Sequence, residues 1–355
     1  MNSYIYLRAL KHAEHTVFCV EDGQKTYYDS QFNRSMAYSS GQQVKRSILQ
    51  ALTDNLNVPM APITFNYNIS KKDKDNLENK EPWSPCDPTY VDQLLGGWMR
   101  AGDGVTKKRR SPLSISAMRP LHPLLAGVDK ENLTFDRSDR PDYHPVNVRR
   151  AGSDTLLTEE EIEAFLNENN RTLPRRNWIP DNTRTGGLFV YDVAIDLRSL
   201  FCVSTNQHEP ELSKEMIEKL KNEGWVESEN VFGKCLVLPK EKRDKIIPAL
   251  ASALVNWRIT SNQARTFSIM ETLAVAISDN ANKLAGAIRA KLIENGEKPK
   301  AKPIIDETAG ADLFVTLPCS SYIITENESA DALEKAEQKL IDLMSAYPYE
   351  NQMTY

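Results

Sequence analysis

The feature that most constrains the fold of this chain is an amphipathic helix signal at residues 38–56, YSSGQQVKRSILQALTDNL. Val44, Ile48, Leu52 and Leu56 recur every four residues, which places them on one side of a helix. Two serines and a glycine precede these residues and indicate a turn that leads into the helix. The pattern therefore predicts a helix with one buried face.

Two adjacent cations, Lys45 and Arg46, fall in the first two turns of this helix. Cations are unfavourable there, because the free backbone N–H groups of a helix N-terminus already carry partial positive charge. An external anion suits the position better, and hydroxyls, amides and cations beside free N–H groups can hold a phosphate backbone. The side chains that would do so are Ser39, Ser40, Gln42, Gln43, Lys45 and Arg46. The alternative interpretation is an ordinary solvated helix face.

Composition allows one large domain or two smaller ones in 355 residues, with 40% apolar and 26% charged residues. A formal net charge of −5 argues against a small, wholly basic nucleic-acid binder. It does not exclude RNA binding, because the charge is unevenly distributed. Residues 98–121 carry six Lys/Arg and one Asp, whereas residues 326–355 carry seven Asp/Glu and two Lys.

The five cysteines, Cys19, Cys86, Cys202, Cys235 and Cys319, are far apart and show no metal-ligand or redox spacing. Their odd number is typical of reduced thiols, which predicts a cytoplasmic location. Charged residues interrupt the short apolar stretch at the N-terminus, so no signal peptide is expected. No apolar run approaches the ~20 residues of a membrane span.

Periodicity and turn residues predict strands and helices in a mixed order, with an irregular stretch from residue 59 to about 184. Strands are expected at 3–10, 188–197, 234–238, 267–277 and 313–318. Helices are expected at 40–56, 211–223, 240–257, 280–294 and 329–346, and Thr158 is expected to cap a further helix that begins with three glutamates. This order indicates an α+β fold that carries an insertion.

Three segments resemble a known family in the same order along the chain. Arg34 with the run SGQQVKRSI is similar to the region between the first strand and first helix of the CRISPR-associated Cas-seven family. The segments GGLFVYDVAIDLRSL (186–200) and LVNWRITSNQARTFSIMETLAVAISDNANKLAGAI (254–288) resemble two later parts of that family. The family provides the guide-RNA-binding backbone subunit of type I Cascade interference complexes.

The resemblance implies a ferredoxin-like (RRM-like) palm formed by residues 1–58 and 185–355, with an inserted fingers and thumb region at 59–184. It also implies that the basic run TKKRRSPLSISAMRPLHPLL (106–125) contacts nucleic acid, and that Met118 is a wedge that displaces a guide base. A solvated loop is the alternative for the basic run, and core packing is the alternative for Met118. Met99 and Leu121 are equally plausible as the wedge.

Taken together, residue chemistry and resemblance predict one set of RNA-binding residues. These are Arg34, Ser40, Gln42, Lys45, Arg46, Lys107, Lys108, Arg109, Arg110, Arg119, Arg258, Asn262 and Arg265. The last three lie in WRITSNQARTFS (257–268), where cations and amides without an acidic residue can grip sugar and phosphate without reading sequence. A capping loop is the alternative for that segment.

Metal chemistry has weaker support in the sequence. His12 and His15 have helical metal spacing but lack a third ligand, and the group Asp136, Asp139, Asp142 and His144 has no established ligand spacing. No P-loop, nucleophile elbow or dinucleotide fingerprint is present, so neither a catalytic site nor a cofactor is expected.

The expected function is therefore a non-catalytic subunit that oligomerises along CRISPR guide RNA and presents it for pairing with target DNA in antiviral defence. Its expected partners are the guide RNA, the target DNA strand, further copies of itself and other Cascade subunits, with no membrane. The alternative is a metal-dependent RNase that cuts paired target RNA with a loop aspartate, for which Asp22, Asp29 and Asp103 are candidates. A third possibility is an unrelated RRM-like RNA-binding protein, against which the absence of the aromatic RNP run counts.

Overall fold

The structure, a computed structural model, describes residues 2–18, 24–70, 76–102, 104–137, 143–259, 267–294, 296 and 298–354. The strands are β1 (Tyr4–Thr16), β2 (Thr26–Asp29), β3 (Arg34–Ala37), β4 (Thr64–Ile69), β5 (Leu77–Trp83), β6 (Trp98–Gly102), β7 (Val105–Arg109), β8 (Leu113–Ile115), β9 (Arg119–Pro120), β10 (Ala126–Asp136), β11 (Arg176–Asp196), β12 (Cys202–Ser204), β13 (Val226–Asn230), β14 (Gly233–Val237), β15 (Thr272–Ser278), β16 (Ile288–Ile293), β17 (Lys300–Ile305), β18 (Asp312–Thr316) and β19 (Glu328–Ser329). The α-helices are α1 (Gly41–Leu56), α2 (Val91–Gly96), α3 (Glu159–Glu168), α4 (Leu197–Leu200), α5 (Lys214–Asn222), α6 (Lys240–Asn256), α7 (Ala281–Ala287) and α8 (Ala332–Ser345). Short 3-10 helices cover Glu307–Ala309, Leu317–Ser321 and Gln352–Thr354.

The central sheet is built around β1, which pairs antiparallel with β11 on one side and with β15 on the other. The strand order is β10-β11-β1-β15-β18-β19, and β8 and β9 also pair with β11. Every residue of β15 is buried, as expected of a central strand that is covered on both faces. The α+β class expected from the sequence is confirmed.

Alternation along β1 divides the core between the two faces of this sheet. Leu7 and Ala9 belong to a cluster that also contains residues of α1, α6 and α8, including Ile48, Leu254 and Leu340. On the opposite face, Leu10 packs in a second cluster with Leu273 and with residues of α7. Successive strand residues point to opposite faces, so one strand contributes to both clusters.

Local sequence explains the boundaries of α1. The Ser40 hydroxyl caps the helix by accepting a hydrogen bond from the Gln43 N–H over 3.3 Å. Val44, Ile48 and Leu52 are buried, and Asn57 ends the helix in the left-handed conformation with a φ of 52°. The helix expected at 40–56 is therefore confirmed.

The helix expected at 280–294 is wrong in its second half. The helix α7 ends at Ala287, and Ile288–Ile293 instead forms β16, which pairs antiparallel with β17. The N–H of Asp306 donates to the Ala287 carbonyl over 2.7 Å and closes this hairpin at the helix end. Cross-strand pairing with a segment remote from the helix outweighs the local helix propensity of RAKLI.

The irregular stretch after residue 59 contains paired strands. β4 pairs with β5 and β6 pairs with β7, so parts of the stretch that was expected to be irregular, Leu77–Trp83 among them, form hairpins. Alternation in TFNYNI supports a strand there, although its apolar residues Phe65, Tyr67 and Ile69 are exposed. Residues 71–75 lie outside the described residues.

The chain separates into two compact units, Met1–Val128 with Thr185–Tyr355, and Asp129–Arg184. The second unit contains α3, whose capping box confirms the expectation for Thr158: its hydroxyl accepts from the Glu161 N–H, and the Glu161 carboxylate accepts from the Thr158 N–H. Residues 59–128 belong to the first unit by their contacts. The assignment of 59–184 as fingers and thumb stays a prediction. No helix in the described part of the chain is long and apolar enough to cross a membrane.

Candidate nucleic-acid interface

The N-terminus of α1 is joined to a segment that lies about eighty positions further along the chain. The N–H of Ser39 donates to the Met118 carbonyl over 2.9 Å, and the N–H of Met118 donates back over 3.0 Å. A Cβ at Gly41 would lie 2.9 Å from the Ile115 carbonyl oxygen, so glycine permits this close approach. Arg119 follows directly and is thereby held near the start of α1.

Arg34 comes to the same region through the β2–β3 hairpin. β3 lies in contact with β9, which carries Arg119. The pKa of Tyr27 reports the proximity of Arg119 as well: burial and the Asp29 carboxylate raise it, and the Arg119 guanidinium opposes them. Two segments remote in sequence, β3 with Arg34 and β9 with Arg119, therefore lie next to each other.

Several of the predicted cations are available for an external anion. Arg46, Lys108, Arg110, Arg119 and Arg258 are exposed, and Arg34 and Lys107 are half-buried. Within the described residues, none of these side chains makes a hydrogen bond or ion pair. Gln42 is also exposed on the first turn of α1, where the Ser40 hydroxyl serves as the helix cap.

Lys45 occupies a different place from the one expected. Its ammonium is half-buried and donates to the Gly96 carbonyl over 2.6 Å, which ties α1 to the end of α2. Burial lowers the pKa of this ammonium. The expectation that Lys45 lies free on the polar helix face is therefore corrected, because its ammonium links two helices, and its neighbour Arg46 is the exposed cation. An RNA contact of Lys45 stays a prediction.

Arg109 is an interior residue, not a surface cation. Its side chain is 3% exposed and donates to the carbonyl oxygens of Leu94 at 3.1 Å, Cys202 at 2.7 Å and Ser199 at 2.8 Å. It also forms an ion pair with Glu211 at 3.1 Å. The RNA contact predicted for Arg109 is corrected, because this guanidinium is enclosed and its donors are in use.

Residues 106–109 of the basic run lie in β7, the second strand of the β6–β7 hairpin. Lys107 lies directly opposite Arg100, and Lys108 lies opposite Met99. Like charges facing each other across two strands repel unless an anion lies between them. Arg100 also lies over the Trp83 ring, 4.8 Å from its centroid. Arg100 was not among the predicted residues, because only the strand register brings it beside Lys107.

Met118 lies in the core with 0% exposure. It belongs to the same apolar cluster as Val44 and Ile48 of α1. A buried side chain cannot enter a stack of bases, so the wedge prediction for Met118 is wrong and its core-packing alternative is correct. Met99 is half exposed, and Leu121 is partly buried.

Two of the predicted RNA-binding residues, Asn262 and Arg265, lie outside the described residues, as do the loop aspartates Asp22 and Asp103.

The possible metal group Asp136, Asp139, Asp142 and His144 is only partly described, because Asp139 and Asp142 also lie outside the described residues. Its first member, Asp136, receives two hydrogen bonds from Arg176 at 2.7 and 3.2 Å. Asp29 accepts from the Phe32 N–H over 2.9 Å in a turn. Over the described ranges, no group of three or more His, Cys, Asp or Glu side chains is placed to hold a metal ion.

Comparisons with known proteins find similarity to solved structures alone. No protein-family model matches the chain, and no curated protein sequence matches it. The chain is similar to a chain of a solved structure titled "CRISPR RNA-guided surveillance complex, pre-nicking", with a TM-score of 0.44, 10% identity, and coverage of 96% of this chain and 89% of that chain. A second structure, titled "CRISPR RNA-guided surveillance complex", gives a TM-score of 0.37, 9% identity, and coverage of 97% and 85%. Both TM-scores are below 0.5, so the function proposed next rests on the residues of this chain.

Proposed function

We propose that this chain is a non-catalytic, guide-RNA-binding backbone subunit of a CRISPR interference complex. In this role several copies bind along one guide RNA and present its bases for pairing with target DNA. Sequence specificity then lies in base pairing, and the protein needs to recognise only the RNA backbone. Its further partners are other subunits of the complex.

The observation that carries the proposal is the group of cations at the start of α1 that have no ion-pair partner among the described residues. The Ser39–Met118 bridge brings Arg119 to this helix end, where Arg46 and Gln42 are exposed. Arg34 lies on β3, which contacts β9, the strand that carries Arg119. The end of the helix adds partial positive charge beside Arg46 and Arg119, which favours phosphate groups there.

We further propose that the central sheet is the RRM-like palm of this subunit. The antiparallel strands β11, β1, β15 and β18 carry α1, α6 and α8 on one face. The β6–β7 hairpin begins directly beside the α2 residue that Lys45 contacts. Its cations Arg100 and Lys107 face each other across the two strands.

The test compares charge reversals at matched exposed cations. The variant with Arg46→Glu and Arg119→Glu should retain less than about a tenth of the RNA that co-purifies with the wild type, because each lost phosphate contact costs on the order of 1–3 kcal/mol. With purified protein and labelled RNA, the slope of log affinity against log salt should fall by about one for each arginine. Circular dichroism should be unchanged, since neither side chain has a partner in the described part of the chain.

Lys245→Glu is the control, because this exposed cation lies on α6, which carries none of the predicted residues. It changes the net charge by −2, as each of the two arginine reversals does separately, and should leave RNA retention unaltered. Equal RNA retention by the double variant and the control would refute the proposal. A guide-loaded protein that cut complementary RNA at regular intervals in Mg²⁺ would replace it with the RNase alternative.

A further inference from the structure

A groove lined in part by Arg34 lies beside residues of the sheet face opposite α1. It has a volume of about 570 Å³ and is lined by residues that include His12, Arg34, Leu125, Gly187, Pro303 and Tyr322. We call it the Gly187 groove. Gly187 has a φ of 128°, and a Cβ there would lie 2.4 Å from the Leu125 carbonyl oxygen, so a side chain at this position would displace the wall of the groove.

One side of the Gly187 groove carries an aromatic ring in a fixed orientation. The Tyr322 hydroxyl lies 2.9 Å from His12 Nδ1 and donates to Glu271 Oε1 over 3.2 Å. The two rings lie 4.3 Å apart between centroids, with a tilt of 33°. Tyr322 is nevertheless 38% exposed. An aromatic ring that is held at its polar end, lies against His12 and keeps more than a third of its surface exposed is suited to stacking with a planar ligand.

The backbone beneath Tyr322 is equally well anchored. Its N–H donates to the Cys319 carbonyl over 2.9 Å at the end of a 3-10 helix. That helix follows Thr316, whose hydroxyl lies 3.0 Å from the Thr272 carbonyl oxygen of β15. Cys319 is buried in the cluster on this face. The ring therefore needs little ordering when a ligand binds.

Charge within the groove orients such a ligand. Arg34 is half-buried and, among the described residues, has no hydrogen-bond or ion-pair partner. Carboxylates lie on the Tyr322 side of the groove, where Glu271 accepts a hydrogen bond from the Tyr322 hydroxyl. The pKa of the Tyr322 phenol is raised, mainly by burial and also by the negative charges of Glu271 and Glu14. A phosphate is thus favoured at Arg34 and disfavoured at Tyr322, where an uncharged ring fits.

We propose that the Gly187 groove binds one nucleotide of a single-stranded nucleic acid, with its base stacked on Tyr322 and its phosphate on Arg34. His12 and Glu271 act as positioning residues that hold the Tyr322 ring. The proposal rests on the proposed RNA-binding function and names a base-contacting residue for it. Stacking of this kind accepts any base, which suits a protein that binds guides of every sequence.

The test uses two labelled probes, a twelve-nucleotide oligouridylate and the same sugar-phosphate chain with abasic residues. Tyr322→Leu should weaken binding of the oligouridylate about tenfold and leave binding of the abasic chain unchanged. Tyr322→Phe keeps the ring and should retain most of the affinity. Arg34→Gln should weaken binding of both probes equally, because it removes a phosphate contact.

The outcomes separate this inference from the proposed function. If the wild type binds the oligouridylate but Tyr322→Leu weakens both probes equally, or neither, the stacking site is refuted and RNA binding stands. If the wild type binds neither probe, both proposals fail. Thermal melting shows whether Tyr322→Leu still folds. If it does not, Tyr322→Phe provides the test instead: an affinity loss for the oligouridylate as large as that of Arg34→Gln would also refute stacking.

Discussion

At the scale of single residues, Lys11 is the most unusual feature of the described structure. It is 1% exposed in the core beside α6, and its ammonium donates to the Met270 carbonyl over 3.2 Å and to the Thr272 hydroxyl over 2.9 Å. The ammonium also lies 5.2 Å from the centroid of the Trp257 ring. Burial, with a smaller contribution from the charge of Arg258, lowers the pKa of Lys11 from 10.5 to about 7. The folded protein therefore disfavours the charged form of this side chain.

This lowered pKa predicts how stability depends on pH. Between about pH 7 and pH 10.5 the unfolded chain binds a proton at Lys11 that the folded chain releases, so the free energy of unfolding rises with pH across that window. Below about pH 7 Lys11 is protonated in both the folded and the unfolded chain, and the folded protein then carries the full cost of a buried charge. From pH 7 to pH 9 the wild type should gain about 2 kcal/mol relative to Lys11→Met.

Urea unfolding of both proteins at several pH values provides the measurement. Lys11→Met is the reference, because other groups contribute the same pH dependence to both curves. Parallel curves would mean that Lys11 keeps its ordinary pKa in the folded protein.

At the scale of elements, the β6–β7 hairpin shows how one strand can serve both the core and the surface. Arg109 points inward to Glu211 and to three carbonyl groups, whereas Lys108 and Arg110 are exposed. Trp98, which pairs with Arg109 across the hairpin, donates from its indole N–H to the Glu211 carbonyl over 2.9 Å. These contacts anchor the base of the hairpin to the segments before β12 and α5.

Replacing Arg109 should therefore affect stability first. Arg109→Met should lower the free energy of unfolding by roughly 3–5 kcal/mol, because it leaves the partly buried Glu211 carboxylate and several carbonyl groups without their donor. The additional change Glu211→Gln should restore part of the loss. Denaturant unfolding measures both effects.

Arg110→Met is the matched control, since Arg110 is exposed and makes no ion pair within the described ranges. It should change stability by no more than about 0.5 kcal/mol and should weaken RNA binding. A stable Arg109→Met protein that had lost RNA binding would reinstate the surface role that the sequence predicted for Arg109.

At the scale of the whole molecule, charge is distributed unevenly along the chain. The β6–β7 hairpin and the residues after it are basic, whereas the segment from Glu326 to Tyr355, which includes α8, has seven acidic residues and two lysines. Surfaces of opposite charge on one chain favour contacts between unlike patches of neighbouring copies. Such head-to-tail contacts that do not close into a ring produce open helical stacks.

The protein should therefore assemble in proportion to the length of RNA supplied. Light scattering should show a monomer or poorly ordered aggregates without RNA. A sixty-nucleotide RNA should give a particle with several more copies of the chain than a twelve-nucleotide RNA gives. A closed dimer whose mass is the same with and without RNA would contradict this expectation.

Sequence alone predicted the features that depend on neighbours within a turn or two. The four-residue spacing of Val44, Ile48 and Leu52 fixed the buried face of α1, and Thr158 with Glu161 identified the start of α3. The strand expected at 267–277 is present as β15 over Thr272–Ser278. Periodicity and capping are local, so each can be recognised without knowledge of the remaining chain.

Tertiary structure decided which members of a local pattern are available for binding. Lys45 and Arg46 are adjacent, yet only Lys45 meets the Gly96 carbonyl, which lies 51 positions away. Arg109 and Arg110 are also adjacent, and the partner that distinguishes them, Glu211, is 102 positions from Arg109. The pairing of Tyr322 with His12 spans 310 positions. Burial and ion pairing are set by segments that meet only in the folded chain, so the sequence identified the basic segments while the fold selected the residues in them that remain free to bind.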